Sequence, residues 1–303
     1  MHTLLRHVMS SLMGLQVWTA ILLVGASQLT HAQTVSTQET IDALARANQA
    51  VLGVNVVAAA DARSAQTLGR QRIGSGVVIG ADGLVLTIGY LMLEADTIEL
   101  ITQDKKSIPA RAVAYDLATG FGLIRPLVPL PGIQPVVLGS ALQSKTGDAL
   151  MVAMGAQRIT DTDADVSMTQ LMSKRPFTGY WEYHIDTALF TSPPMPNHSG
   201  APLFNQRGEL LGIGSLFVAD VMGVRQALST RRAGNMFVPI DLLKPIMTEL
   251  MQTGSSKTSR RPWIGLTCSD QDGRIQVVRA ADEGPAQAAG LKPGDIVLAI
   301  DDA

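Results

Sequence analysis

The chain reads as a mainly β protein: two consecutive β units, a linking helix and a small C-terminal module. Three observations predict this. Short apolar runs recur from Val51 to Val238, broken by Gly, Asp-Gly and Pro, the texture of an all-β barrel or sandwich. A Pro-rich join from Pro126 to Pro135 divides these runs into two sets of similar size. After Pro239 the apolar spacing turns helical, and past a Ser/Lys/Arg stretch the pattern restarts at Pro262.

Residues 1–32 stand apart. Arg6 lies between His2 and His7, an apolar run extends from Val8 to Ala26, and Thr30-His31-Ala32 offers a small-residue cleavage site, which predicts a secretory signal peptide. The rival is an uncleaved membrane anchor, the one case in which the chain would contact a membrane; Ser10, Ser11, Gln16 and Thr19 dilute its apolar run. Residues 33–50 are polar and helical around Thr40 to Ala45, a linker or an oligomerisation arm, so a homo-oligomer is possible.

The first β unit occupies residues 51–130, with strands expected at Val54–Ala59, Gly76–Ile79, Leu84–Thr87, Thr97–Thr102, Ala110–Ala114 and Gly122–Ile124. Ala81-Asp82-Gly83 predicts a hairpin turn that needs positive φ. The second unit, residues 131–240, has strands expected near Val136 and at Ala149–Met154, Tyr180–Asp186, Ala201–Phe204, Leu210–Phe217 and Asn235–Val238. Residues 241–261 supply the helix and linker: Leu242, Leu243, Ile246 and Leu250 fall at core spacing in a helix over Ile240–Met251, with Gly254 as its stop. Residues 262–303 form the last module.

Composition excludes several classes. With 46% hydrophobic and 17% charged residues the chain is globular. Removing residues 1–32 leaves 23 basic against 26 acidic residues with no basic cluster, so nucleic acid is not an expected partner. Cys268 is the lone cysteine, so an exported chain has no intrachain disulfide and stands on its core. Asp161-Thr162-Asp163-Ala164-Asp165 superficially resembles a calcium loop but lacks its glycine and terminal glutamate. Gly83 to Gly89 has no phosphate-loop context. Neither a metal nor a cofactor is predicted.

The stretch that names a chemistry is Asn197-His198-Ser199-Gly200-Ala201-Pro202-Leu203, followed by Gly208-Glu209-Leu210-Leu211-Gly212-Ile213. It resembles the nucleophile loop of a trypsin-fold serine protease. Gly74-Ser75-Gly76-Val77-Val78-Ile79 and Gly83-Leu84-Val85-Leu86-Thr87 resemble the strands that lead to the histidine loop, Tyr115 to Ile124 the aspartate segment, and Gly234 to Pro239 the final barrel strand. In order and spacing these resemble the HtrA/Deg serine proteases, apart from a longer loop of Ser192 to Pro196. The resemblance implies a trypsin-like double β-barrel, a linking helix and a PDZ domain, in an exported, periplasmic protein that acts on unfolded or extended polypeptide in protein quality control.

The same resemblance locates the departures. Tyr90 stands at the histidine position and Gly120 at the aspartate position, while Ser199 retains the nucleophile position. Asn197 occupies the place of the glycine two before the nucleophile, so Asn197 and Ser199 are the implied oxyanion donors on a backbone that Asn accommodates less readily than Gly. Asp116 lies four residues before Gly120, roughly 13 Å away if the segment is extended. Of five histidines, His2, His7 and His31 lie in residues 1–32, leaving His184 in an expected strand and His198 beside Ser199.

A serine hydroxyl is a weak nucleophile until a positioned base takes its proton. Losing the histidine of such a triad costs about 2 × 10⁶ in turnover, about 8.6 kcal/mol. A phenol, ionising near pH ~10, is a poor replacement. The leading expectation is a pseudoprotease that binds polypeptide. The alternatives are a serine endopeptidase using Ser199 with Tyr90, His184 or Lys174 as a non-standard base, and a decayed fragment.

Pro262-Trp263-Ile264-Gly265-Leu266, Gly273 to Arg279, Gly284-Pro285-Ala286 and Ala289 to Ile300 resemble the first part of an HtrA-type PDZ domain. This implies peptide binding by strand addition beside Ile264, Gly265 and Leu266. The sequence ends at Ala303, before the helix and last strand of that module, which implies a truncated PDZ-like unit with an open groove.

Overall fold

The computed structural model describes residues 36–157, 160–179, 184–223, 231–260, 262–271 and 273–300. The expected signal peptide or anchor, and the start of the strand expected at Tyr180, lie outside these residues. Among the described residues no helix is long and apolar enough to cross a membrane.

Strands β1 (Val51–Ala58), β2 (Gln71–Val78), β3 (Val85–Ile88), β4 (Ala95–Ile101), β5 (Ser107–Tyr115) and β6 (Phe121–Pro126) close a barrel in the order β1-β2-β3-β6-β5-β4. Strands β7 (Ala149–Met154), β8 (Asp165–Thr178), β9 (His184–Ser192), β10 (Pro202–Phe204), β11 (Leu210–Val218) and β12 (Gly234–Pro239) close a second in the order β10-β11-β12-β9-β8-β7. Taken from β7, that ring repeats the first strand for strand.

Phe121, Phe190, Phe204 and Phe237 are the largest fully buried side chains. The second barrel is filled by Leu150, Leu171, Leu189, Leu203, Phe237 and, from a loop, Met195. Where the barrels meet, backbone touches backbone. A Cβ on Gly53 would lie 1.8 Å from the Ala156 carbonyl oxygen, and one on Gly155 would lie 2.0 Å from the Gly53 nitrogen. This explains why β1 is buried along nearly all its length: its two faces serve the barrel interior and the inter-barrel seam.

Several expectations change in detail. Strand β8 has no counterpart in the sequence reading; among its residues only Thr169 and Leu171 are buried, so it lacks the apolar alternation by which strands are recognised. The strand expected near Val136 is reduced to a single bridge from Leu138 to Leu210. The helix expected over Ile240–Met251 is broken: a 3₁₀ turn spans Ile240–Leu242 and an α-helix spans Met247–Thr253. Pro245 lies between them and has no N–H for a continuous helix. Gly254 does end the helix, at φ +80° with its N–H on the Leu250 carbonyl.

At the other end, α1 (Thr37–Gln49) lies over the turn between β10 and β11, where Gly208 comes so close that a Cβ would be 2.5 Å from the Ala43 oxygen. Gln103 Nε2 donates to the Asn48 carbonyl at 2.6 Å, tying the helix to the turn between β4 and β5. A third, three-stranded sheet follows the barrels: β13 (Leu266–Gln271), β14 (Arg274–Ala280) and β15 (Ile296–Val297), in that order.

Candidate functional site at the barrel interface

Ser199 sits on the turn between β9 and β10. Gly200 has φ +73°, and a Cβ there would lie 2.0 Å from the Ser75 oxygen, so only glycine lets this turn press against β2. The turn is anchored on both sides: Ser75 N donates to the Ser199 carbonyl at 2.8 Å, and Gly200 N to the Gly214 carbonyl at 2.8 Å. The longer loop before the serine is also built in. Met195 is buried in the barrel core, and Asn235 of β12 bonds its backbone twice, accepting from Met195 N at 2.6 Å and donating to Met195 O at 3.2 Å.

Tyr90 reaches the serine from the first barrel. It lies on a 3₁₀ turn, Gly89–Met92, directly after β3. Its phenol oxygen is 2.7 Å from Ser199 Oγ and 2.8 Å from the Ser215 carbonyl oxygen. A carbonyl only accepts, and the single phenol proton can go to the Ser215 carbonyl or to Ser199 Oγ, with Tyr90 the donor in each contact. Tyr90 thus meets the serine as a protonated donor.

The remaining expected partners are elsewhere. His198 Nδ1 lies 3.1 Å from the Pro196 and 3.3 Å from the Met195 carbonyl oxygens, so that nitrogen carries a donated proton. Burial lowers its pKa, opposed by those two bonds, which leaves a neutral ring locked into its own loop. His184 contacts Thr178 Oγ1 at 2.8 Å and Asp186 at 3.3 Å on an exposed part of β9. Lys174 Nζ donates to the Ala141 and Leu142 carbonyls. Among the described residues no imidazole, amine or carboxylate bonds Ser199 Oγ.

The aspartate segment is a tight turn, correcting the extended geometry assumed for it: Gly120 N donates to the Asp116 carbonyl at 2.7 Å. Gly120, at φ +79°, offers only backbone, its carbonyl accepting from Gly89 N at 2.7 Å. Asp116 is fully buried and faces the segment after α2 (Met247–Thr253), accepting from Thr119 N at 2.9 Å, Thr119 Oγ1 at 2.6 Å, Ser256 Oγ and Ser259 Oγ. Burial by itself pushes its carboxyl up; the bonds from Ser256, Ser259 and Thr119 outweigh burial and hold it below the usual carboxylate range. Residues 254–260, part of the segment expected to be a linker, are therefore latched onto the first barrel.

Asn197 is exposed and its φ lies outside the left-handed region. The amides of Asn197 and Ser199 donate to no protein acceptor among the described residues, so both remain open at the mouth of the turn. Ile264 and Leu266 line a cavity of about 1020 Å³ on the third sheet, together with Ile275, Leu291, Leu298 and Thr178 from the tip of β8. Gly265, at φ +75°, shapes the turn before β13 and accepts from Ala281 N at 2.7 Å. Sequence reasoning missed Ser215 and Asn235; both act through atoms that no motif marks, a main-chain carbonyl in one case and a side-chain amide turned on a backbone in the other.

Paired antiparallel barrels with a serine turn at their junction define the trypsin fold, and residues 74–213 match the trypsin-like peptidase domain family. The chain is 27% identical over 246 residues to a probable periplasmic serine endoprotease, DegP-like, of Pseudomonas putida (strain W619), covering 76% of this chain and 47% of the relative. It is 26% identical over 252 residues to the DegP-like protein of Ectopseudomonas mendocina (strain ymp), covering 77% and 49%. The chain spans about half the length of the curated relatives it matches. In fold it is similar to the HtrA-type protease AlgW with tripeptide, at TM-score 0.55 and 21% identity over 87% of this chain and 83% of that one. AlgW with decapeptide gives TM-score 0.55 and 21% identity over 87% and 86%. In fold the chain is trypsin-like, and in sequence it is similar to the DegP-like serine endoproteases.

Proposed function

We propose that this chain is a periplasmic polypeptide-binding protein of the HtrA/Deg type whose serine site is catalytically impaired, and that it serves protein quality control. One observation carries the reading: the oxygen that faces Ser199 Oγ belongs to the phenol of Tyr90, a protonated donor shared with the Ser215 carbonyl. A general base must gain a proton in the transition state. This phenol would have to do so while still protonated, and among the described residues neither position of the aspartate segment offers it a carboxylate, because Gly120 has no side chain and Asp116 is held by Ser256 and Ser259.

The periplasmic location follows the DegP-like relatives, and the polypeptide ligand follows the peptide-bound HtrA-type structures. The third sheet, at the place where the sequence resembles a PDZ domain, offers the apolar cavity beside Ile264 and Leu266 as a second contact for an extended chain.

A fluorophosphonate probe and unfolded casein test the reading together. The expected result is no Ser199-dependent labelling, no casein cleavage, and saturable casein binding. Labelling that disappears in Ser199→Ala, together with cleavage, would establish the rival reading of a serine endopeptidase with Tyr90 as its base.

A further inference from the structure

We infer that Tyr90 is a gate: its phenol occupies the Ser215 carbonyl and the Ser199 hydroxyl together, and an extended polypeptide enters the cleft by displacing it. This rests on the polypeptide-binding reading above and specifies how that binding is regulated.

Ser215 falls at a break in register between β11 and β12, where Gly214 pairs with Phe237 and Leu216 with Met236. Its residue is fully buried, and a buried carbonyl requires a donor. A polypeptide laid against this end of β11 would supply a main-chain N–H, as strand addition does elsewhere. Tyr90 supplies its hydroxyl instead, at 2.8 Å. The two donors compete for one acceptor.

The gate has a fixed frame and a movable tip. Buried Arg72 donates from Nη1 to the Tyr90 carbonyl at 3.2 Å and to the Leu93 carbonyl at 2.6 Å, and is itself held through Nε on the Gly69 carbonyl and Nη2 on Ser64 Oγ. Gly89 packs so closely that a Cβ would lie 2.1 Å from the Tyr115 ring. The backbone carrying Tyr90 is therefore clamped, and opening is a rotation of the side chain. Once the phenol leaves, Ser199 loses its hydrogen-bond partner, so occupation of the cleft and release of the serine are one event.

The test is fluorescence anisotropy with labelled, unfolded casein on wild type, Tyr90→Phe and Tyr90→Ala, each checked by thermal melting. Tyr90→Phe keeps the ring and removes the competing donor, and is expected to bind about three- to tenfold tighter. Tyr90→Ala is expected to bind at least as tightly as Tyr90→Phe. Binding by wild type with Tyr90→Phe no tighter overturns the gate and leaves the polypeptide-binding reading standing. Absence of binding in all three overturns both. If Tyr90→Ala does not fold, Tyr90→Phe decides alone.

Discussion

Ser256 donates its hydroxyl to Asp116 across 140 positions of sequence, closing the segment after the last barrel helix onto the turn that ends beside Gly120. Two consequences meet in this contact. It spends the carboxylate that lies near the aspartate position in the sequence, and it turns an apparent linker into part of the first barrel. Ser259 bonds the same carboxylate, and Tyr115 N donates to the Gly254 carbonyl at 2.9 Å, so the attachment is distributed along the segment.

Asp116→Asn is expected to destabilise the fold by about 2–3 kcal/mol, because an amide keeps one acceptor oxygen where the carboxylate satisfied several donors. The pH dependence has a definite sign. The folded pKa of Asp116 lies below its unfolded value of about 3.9, so its stabilisation is present above about pH 4 and is lost as pH falls through the folded pKa. Urea denaturation between pH 2 and 7 should show this acid-side loss in wild type, and the Asn variant should lack that component.

Tyr90→His places an imidazole before Ser199 with no aspartate behind it. In the triad mechanism, loss of the aspartate's orienting role costs about 10⁴ in turnover. The variant should therefore gain slow, Ser199-dependent fluorophosphonate labelling, about four orders of magnitude short of a complete triad. If labelling stays at the wild-type level, the serine turn itself is misplaced for attack.

Gly120→Asp, the complementary change, meets a backbone at φ +79°. A side chain there costs about 1–2 kcal/mol. Calorimetry should show a lowered Tm in this variant. A melting temperature equal to wild type would mean that the turn relaxes to accept a Cβ.

Gly53→Ala and Gly200→Ala place a methyl 1.8 Å and 2.0 Å from carbonyl oxygens of the opposing barrel. Backbone atoms do not yield as side-chain ends do, and the expected cost exceeds about 3 kcal/mol for each, comparable to a severe core substitution. Soluble expression and denaturant midpoints provide the measurement.

Asn235→Ala removes both bonds to Met195, leaving its buried backbone amide unsatisfied and its carbonyl with only the longer contact to His198 Nδ1 at 3.3 Å. About 2–4 kcal/mol of stability should be lost. Limited proteolysis should show faster cutting within Ser192 to Ser199 in this variant, whereas an unchanged cutting pattern would assign the loop's order to Met195 packing alone.

The fold was legible where the sequence carries strong local signals. Gly83 and Gly254 mark turns that need positive φ and adopt it at +80° each. The runs around Val54, Leu86, Leu123 and Leu203 are strands, because each buries apolar side chains inside a barrel. Strand β8 was not legible: its backbone pairs with β7 and β9 from Asp165 to Thr178 while only Thr169 and Leu171 among its residues are buried. Ladder bonds, which any residue but proline can donate, hold most of its length, with Leu171 in the barrel core and Phe177 against Phe190. The broken helix at Pro245 could have been read from that proline, since apolar spacing reports a helical face without reporting a missing amide.

The candidate site divides in the same way. Residue identity alone put a tyrosine at 90, a glycine at 120 and a serine at 199, where the resemblance implies a histidine, an aspartate and a nucleophile, with His198 beside that serine, because identity decides which groups exist to titrate, donate or attack. Only the tertiary structure decided that the phenol bonds the Ser215 carbonyl, that Asp116 turns away to Ser256 and Ser259, and that Asn235 holds the loop before the serine. Those are bonds of high sequence separation, made largely to main-chain atoms that every residue possesses, so the spacing of residue types carries no trace of them. Packing two barrels against each other is what brings such atoms within 3 Å.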